Sequence, residues 1–340
     1  SKGVEASIDN SIRENASKIN DISVGDYSIG DICKRVEEVW DDGEELDEPE
    51  EIWTFSGHTE DVTSVAVDNN GNVYSGSFDN TVKKISPSGE EIWTFSGHST
   101  FVRSVAVDND GNVYSGYDDS TVKKISPSGE EIWTFSGHFM LVNSVAVDSN
   151  GNVYSGSNDK TVKKISSSGE LIWNFNKDTG YVNSVAVDND GNVYFGSSNM
   201  GVKKISPSGE EIWTFNKDMG YVNSVAVDSN GNVYSGSNDK TVKKISSSGE
   251  EIWKFSGHSN TVISVAVDNN GNVYSGSKDK TVKKISSSGS EIWTFSGHTN
   301  EVQSVAVDNV GNVYSGSRDN KVKKLFAGIP PKVIGYRILE

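Results

Sequence analysis

Cysteine is almost missing: Cys33 stands alone, which excludes an internal disulfide framework and a zinc site built from several thiolates. Apolar runs are short, none near the ~18 residues that a membrane-crossing helix needs, so no membrane insertion is expected. Ser1 does not open a charged-then-apolar segment of the secretory kind, although a processed start would hide one. Positive charge is in deficit, with 31 Lys and Arg against 48 Asp and Glu. An acidic chain repels phosphate backbones, so DNA and RNA are not expected partners. The net charge of −17 is concentrated at the start, where residues 1–51 hold 16 acids and 5 bases. No nucleophile–base pair, glycine-rich phosphate loop or clustered acid pair is present. The chain therefore reads as a non-enzyme.

What the sequence has in abundance is itself. The stretch Ile52-Trp53-Thr54-Phe55-Ser56-Gly57-His58 returns as near-copies beginning at Ile92, Ile132, Ile172, Ile212, Ile252 and Ile292. Each lies forty residues after the last, without insertion or deletion, and the seventh copy ends at Leu325. A fixed period of this size means one supersecondary unit, repeated and stacked.

In the first copy, Glu51–Ser56, Val62–Asp68, Asn72–Ser77 and Thr81–Ser86 are strand-length runs rich in β-branched, aromatic and small residues. Asn70-Gly71 between two of them suggests a two-residue hairpin. Four antiparallel strands per repeat make a propeller blade. Alternation along a strand places Trp53 and Phe55 on one face, Val65 and Val67 on one face, and Ser64 and Ala66 on the other. The seven repeat tryptophans are thus expected to pack between blades. One lone strand at the start of the array and three at its end would together complete a seventh blade and remove exposed edges. The expected fold class is all-β, a seven-bladed propeller over 51–326 closed by its N-terminal strand.

Residues 1–50 read as an acidic, partly helical anchoring or oligomerisation segment. Ile8, Ile12, Ile19 and Ile22, with Asn15 on the same seam, take a and d positions of a short heptad stretch. That stretch resembles the trimeric coiled coils of viral fibres and bacterial adhesins, which implies a homotrimer or higher homo-oligomer; a single amphipathic helix is the plainer reading. A second apolar stripe joins Ile29, Ile32, Val36, Val39 and Trp40, with Ser28 as its start signal. Residues 37–51 form an acidic spacer. Residues 327–340, with Val333, Ile334, Tyr336, Ile338 and Leu339, read as a docking tail.

Gly57-His58, Val65-Ala66-Val67 and Ser75-Gly76-Ser77-Phe78-Asp79-Asn80-Thr81-Val82 resemble a WD-repeat, and all seven units repeat the pattern. The resemblance implies a structural hydrogen-bond network of loop histidine, strand hydroxyl and turn aspartate: His58 with Asp79, His98 with Asp119, His138 with Asp159, His258 with Asp279 and His298 with Asp319. The family's Trp-Asp pair is replaced by Ile85-Ser86. The segment Ile85-Ser86-Pro87-Ser88-Gly89-Glu90-Glu91-Ile92-Trp93 is similar instead to the quinoprotein-type propeller repeat, so the units are a hybrid of the two patterns. Their near-identity is also like that of propellers encoded by tailed viruses of archaea and bacteria. Two units lack the Gly-His loop and carry Asn176 to Tyr181 and Asn216 to Tyr221 instead, and Asn199 replaces the turn aspartate of one of them.

The five histidines occupy equivalent places in five units, which spreads them around a ring and argues against a metal site. Asp68-Asn69-Asn70-Gly71-Asn72 superficially resembles a calcium loop, but its glycine comes too early and the closing glutamate is missing. Neither metal nor cofactor, quinone included, is expected. Lys83-Lys84 and their equivalents are read as structural ion pairs with packed stems.

Differences among the copies carry the functional signal. The Asn-Gly and Ser-Gly-Glu turns barely vary and share one end of the strands, while the loops at the other end vary freely. There stand Phe78, Phe101, Tyr117, Phe139, Met140, Leu141, Tyr181, Met200, Met219, Tyr221 and Arg318, an apolar and aromatic set that marks a partner-binding face. The expected function is protein interaction or display. In this reading residues 1–50 and 327–340 anchor the ring to an assembly, such as a virion tail or capsid surface, and the variable face meets a protein or cell-surface ligand. A monomeric cytoplasmic WD-type adaptor using the same face is the alternative.

Overall fold

The computed structural model of the chain describes residues 23–24, 27–28 and 49–326, except 178, 200, 218 and 219. The chain divides into two units, Ser1–Leu46 and Asp47–Glu340. Of the first, only the antiparallel pairing of Ser23–Val24 with Tyr27–Ser28 is described. Ser28, read from sequence as a helix start, thus lies in a short strand. The heptad positions Ile8, Ile12, Asn15, Ile19 and Ile22, the stripe 29–40 and the tail 327–340 lie outside the described residues, as do Met200 and Met219.

The second unit is a ring of seven four-stranded antiparallel sheets. The first blade runs Val62–Val67, Val73–Ser77, Val82–Ile85 and Glu91–Phe95, each strand pairing with the next. Five more blades repeat this order. The seventh takes Val302–Val307, Asn312–Ser317 and Val322–Phe326 from the end of the array and borrows Glu50–Phe55 from its beginning. Every first strand touches the first strands of both neighbouring blades, which places these strands at the centre of the ring. A cycle of hydrogen bonds records the closure. The Val105 amide donates to Ser64 Oγ at 3.0 Å, the relation recurs from blade to blade, and the Val65 amide donates to Ser304 Oγ at 3.0 Å.

The hydrophobic core is divided among the seven junctions between blades. At one of them Ala66, Tyr74, Val82, Trp93 and Phe95 of the first blade meet Val102, Val105, Val107, Val113 and Ile125 of the second. Val102 and Val105 share that face although three residues apart, because a bulge after Val102 resets the alternation. Gly76 shows how tightly blades nest, since a Cβ there would stand 2.5 Å from Val102 Cγ1. The largest fully buried side chains of the pattern are the tyrosines: Tyr74 and its equivalents have their rings inside and their hydroxyls on a turn aspartate, Tyr74 to Asp68 at 3.0 Å. The tryptophans do sit at the junctions, with Trp93 Nε1 donating to Pro127 O of the next blade at 3.0 Å, but only Trp293 is buried.

The three turns within a blade share one geometry. At 68–72, 77–81 and 86–90 the first residue's amide donates to the fifth residue's carbonyl, and the fourth amide donates to the first carbonyl. The fourth residue is left-handed: Gly71 (φ 79°), Asn80 (φ 69°) and Gly89 (φ 90°). This is a longer turn than the two-residue hairpin suggested by Asn70-Gly71, a type I turn closed by a left-handed residue. Asp68 fixes its own turn, Oδ1 accepting from the amides of Asn70 and Asn72 and Oδ2 from Asn72 Nδ2 and Tyr74 Oη. Both oxygens are spent on hydrogen bonds. The calcium-like stretch is a hairpin turn.

The lysine pairs divide their labour as alternation requires. Lys83 is buried, with Nζ 2.9 Å from Glu91 Oε2 and 2.7 Å from Thr94 Oγ1, whereas Lys84 lays its ammonium 5.3 Å from the Tyr74 ring centre. A desolvated cation in such a site needs both partners.

Candidate functional site

The two ends of the ring differ. Turns of the 68–72 and 86–90 type lie at one end, and the loops 56–61 and turns 77–81 of each blade lie at the other. Residue 50 pairs with residue 326 at the first end. The array therefore begins and ends at the invariant end, away from the variable one.

Histidines hold the variable loops in place. His58 Nδ1 lies 2.7 Å from Asp79 Oδ2 and Nε2 lies 2.7 Å from Ser75 Oγ, while Asp79 Oδ1 accepts from Thr81 Oγ1 at 2.6 Å. Burial alone would raise the Asp79 carboxyl, but hydrogen bonds from His58 and Thr81 outweigh it and hold it far below the usual carboxylate range. His138, His258 and His298 make the same contacts with Asp159 and Ser155, Asp279 and Ser275, and Asp319 and Ser315. Each histidine is enclosed in its own blade, and no cluster of three metal-binding side chains occurs among the described residues.

The second blade departs from this arrangement. Tyr117 stands where other blades have serine, and it is buried rather than displayed on the partner-binding face. Its ring stacks on His98 and its hydroxyl takes Ser115 Oγ, the group that would have reached the imidazole. His98 Nδ1 is 3.5 Å from Asp119 Oδ2, and neither ring nitrogen has a hydrogen bond. Burial, with Lys123 nearby, pushes the His98 imidazole down to about 4 against the pull of Asp119. The fourth blade replaces the hydroxyl position by Phe195, buried against Phe175 with ring centres 5.8 Å apart. In the fifth, Ser235 Oγ and Asp239 Oδ2 are left without a hydrogen bond where other blades have a histidine.

At the variable end the remaining described members of the apolar set fall into one arc. Phe78 and Phe101, from adjacent blades, have ring centres 4.7 Å apart, and Phe101 is exposed. The Arg103 guanidinium lies 5.2 Å from the Phe78 ring and pairs with Asp118 through two nitrogens. Next come Phe139, 89% exposed, with Met140 at 46% and Leu141 half-buried. Tyr181 and Tyr221 follow in the fourth and fifth blades, both exposed. Arg318 stands outside this arc, held between Asp61 and Glu301 at 3.4 Å from each.

The second residue of each central strand belongs to the same end and was missed in the sequence reading. It is Thr63, Arg103, Asn143, Asn183, Asn223, Ile263 and Gln303 in turn. Thr63 Oγ1 donates to Val102 O at 2.7 Å, and Asn143, Asn183 and Asn223 each donate Nδ2 to the equivalent carbonyl of the next blade at 2.9 Å. The signal was present as a freely varying position inside an otherwise constant Val-x-Ser-Val-Ala-Val strand. Seven half-exposed isoleucines, Ile52 and its equivalents, sit on the outer strands, one in every blade. Scattered single apolar residues are ordinary on a surface.

Comparison with known proteins agrees with this architecture. Residues 49–85, 89–125 and 129–165 match the WD domain, G-beta repeat. Residues 198–327 match the outer membrane protein assembly factor BamB family, a propeller-repeat type carrying the quinoprotein pattern. Among solved structures, the chain is similar to the WD40 beta propeller domain of Doa1. The two share 26% identity, with a TM-score of 0.75, over 82% of this chain and 97% of that one. None of the curated proteins compared with the chain matches it. The chain is a seven-bladed propeller carrying WD-type repeats in its first half and a BamB-like match in its second, an architecture suited to protein interaction.

Proposed function

We propose that the ring is a non-enzymatic binding module that engages a protein partner through its variable loops and is tethered through its ends. The observation that carries the reading is the placement of Phe101, Phe139, Met140, Tyr181 and Tyr221. They are exposed, they stand at positions that vary among the seven repeats, and they gather on the end away from residues 50 and 326. The His138–Asp159–Ser155 network holds the loop that carries Phe139 and Met140 before any partner arrives, which limits the ordering cost of binding there. In this reading the ring contributes no bond-making group.

Display from a larger assembly and a free-standing adaptor both use this face. The common exit of the array's two ends leaves the variable end clear in either case. Replacing Phe139, Met140 and Leu141 together by Ser is expected to abolish capture of a partner by the intact chain, with the melting temperature unchanged. Unaltered capture by a fully folded triple variant would overturn the assignment.

A further inference from the structure

The binding reading leaves the partner's chemistry open, and the variable end narrows it. The inference below rests on that reading. Left-handed turn positions carry Asn80, Ser120 and Asn320 in the first, second and seventh blades, but Lys160, Lys240 and Lys280 in the third, fifth and sixth, with φ of 64°, 70° and 72°. All three lysines are exposed. The neighbouring turn carboxylates Asp159 and Asp279 are spent on histidine and threonine hydrogen bonds. Lys160 Nζ lies 6.0 Å from the Tyr181 ring centre, so a cation and the apolar arc share one surface. Exposed Lys160 and Lys240 thus share the third-to-fifth-blade sector with exposed Phe139, Met140, Tyr181 and Tyr221.

Between the arc and the axis stand Asn143, Asn183 and Asn223, in three successive blades. Their Nδ2 groups are consumed by Val182 O, Val222 O and Val262 O. Fixed this way, each amide keeps its Oδ1 as an acceptor. A row of acceptors meets the N–H groups of an extended backbone, an apolar arc meets its side chains, and lysines meet its carboxylates. An anionic glycan would satisfy the lysines and the amides, but it offers nothing for the aliphatic pair Met140 and Leu141. We propose that the third to sixth blades bind an extended peptide segment of a partner protein in which acidic residues alternate with apolar ones.

The test is selection of a random display library of peptides about 16 residues long on the intact chain. The expected result is enrichment of Asp and Glu interleaved with Leu, Ile, Phe or Met. Affinity of the selected peptides should fall about tenfold in Lys160→Gln/Lys240→Gln/Lys280→Gln, and should weaken with salt. Binders lost on Phe139→Ser/Met140→Ser/Leu141→Ser but without acidic enrichment would overturn this inference and leave the binding face standing. Binders indifferent to that triple variant would overturn both. Absence of any enriched peptide, or saturable binding of polygalacturonate abolished by the lysine variant, would overturn the peptide assignment in favour of a folded or glycan partner.

Discussion

One residue decides whether a blade's histidine is satisfied. Ser77 leaves room for the His58–Ser75 bond, whereas Tyr117 fills that room and strips His98 of partners. The tyrosine was legible in the sequence as a departure from the repeat, but not its direction. A side chain at a turn reads as exposed, and only the packing shows that the strand turns this one inward. The consequence is a pH dependence. A histidine whose folded value is depressed to about 4 stays neutral while the unfolded chain takes up a proton near 6.5. Stability is therefore lost as pH falls through that interval, by about 2 kcal/mol at pH 5. The turn carboxylates act in another window. Asp79, Asp159, Asp279 and Asp319 are depressed, so their contribution is intact above about pH 4 and is lost only in stronger acid. Denaturant melts between pH 8 and 5 should show the loss, and His98→Asn should flatten it. Tyr117→Ser should move the His98 titration, followed by NMR, upward from about 4. A flat wild-type profile would contradict the assignment.

At the scale of the strand and blade, the sequence was most readable. Period, strand count and closure all followed from forty-residue spacing and from the lone strand at 50–55, because identical units leave few ways to bury their apolar faces. Two features were not readable. Each turn holds three residues between its paired ends, one more than a bare Asn-Gly hairpin implies, since Asp68, Ser77 and Ser86 each organise a local loop through their side chains. The tryptophans looked like the main inter-blade filler, but they lie on the outer strand, where one side meets solvent. The buried aromatic is the tyrosine of the second strand, whose hydroxyl is tolerated inside because Asp68 accepts from it. This ranks the cost of truncation. Trp293→Ala should lose about 3–5 kcal/mol and Trp93→Ala, half-buried, about 2–3, while both remain folded rings. Equal losses in denaturant titrations would show that exposure is not what sets the cost.

For the whole molecule, the ring separates constancy from variation. One end has the repeated Asp and Ser turns and the entry and exit of the array; the other has loops that differ in every blade on a scaffold that does not. Of the residues read from sequence as the face, Phe78, Phe101, Phe139, Met140, Leu141, Tyr181 and Tyr221 lie at the variable end, Tyr117 is turned inward, Arg318 is tied to Asp61 and Glu301, and Met200 and Met219 lie outside the described residues. Asn143, Asn183 and Asn223 showed in the sequence only as a freely varying position inside a constant strand, and their bonds to the next blade follow only once that strand is known to line the axis. The central claim is that partners meet the variable end. Amide hydrogen exchange of the intact chain, with and without a captured partner, tests it most directly. The account predicts added protection in 99–103, 139–143, 179–183 and 219–223 and none in the 68–72 class of turns. Protection confined to those invariant turns or to the outer strands would contradict it.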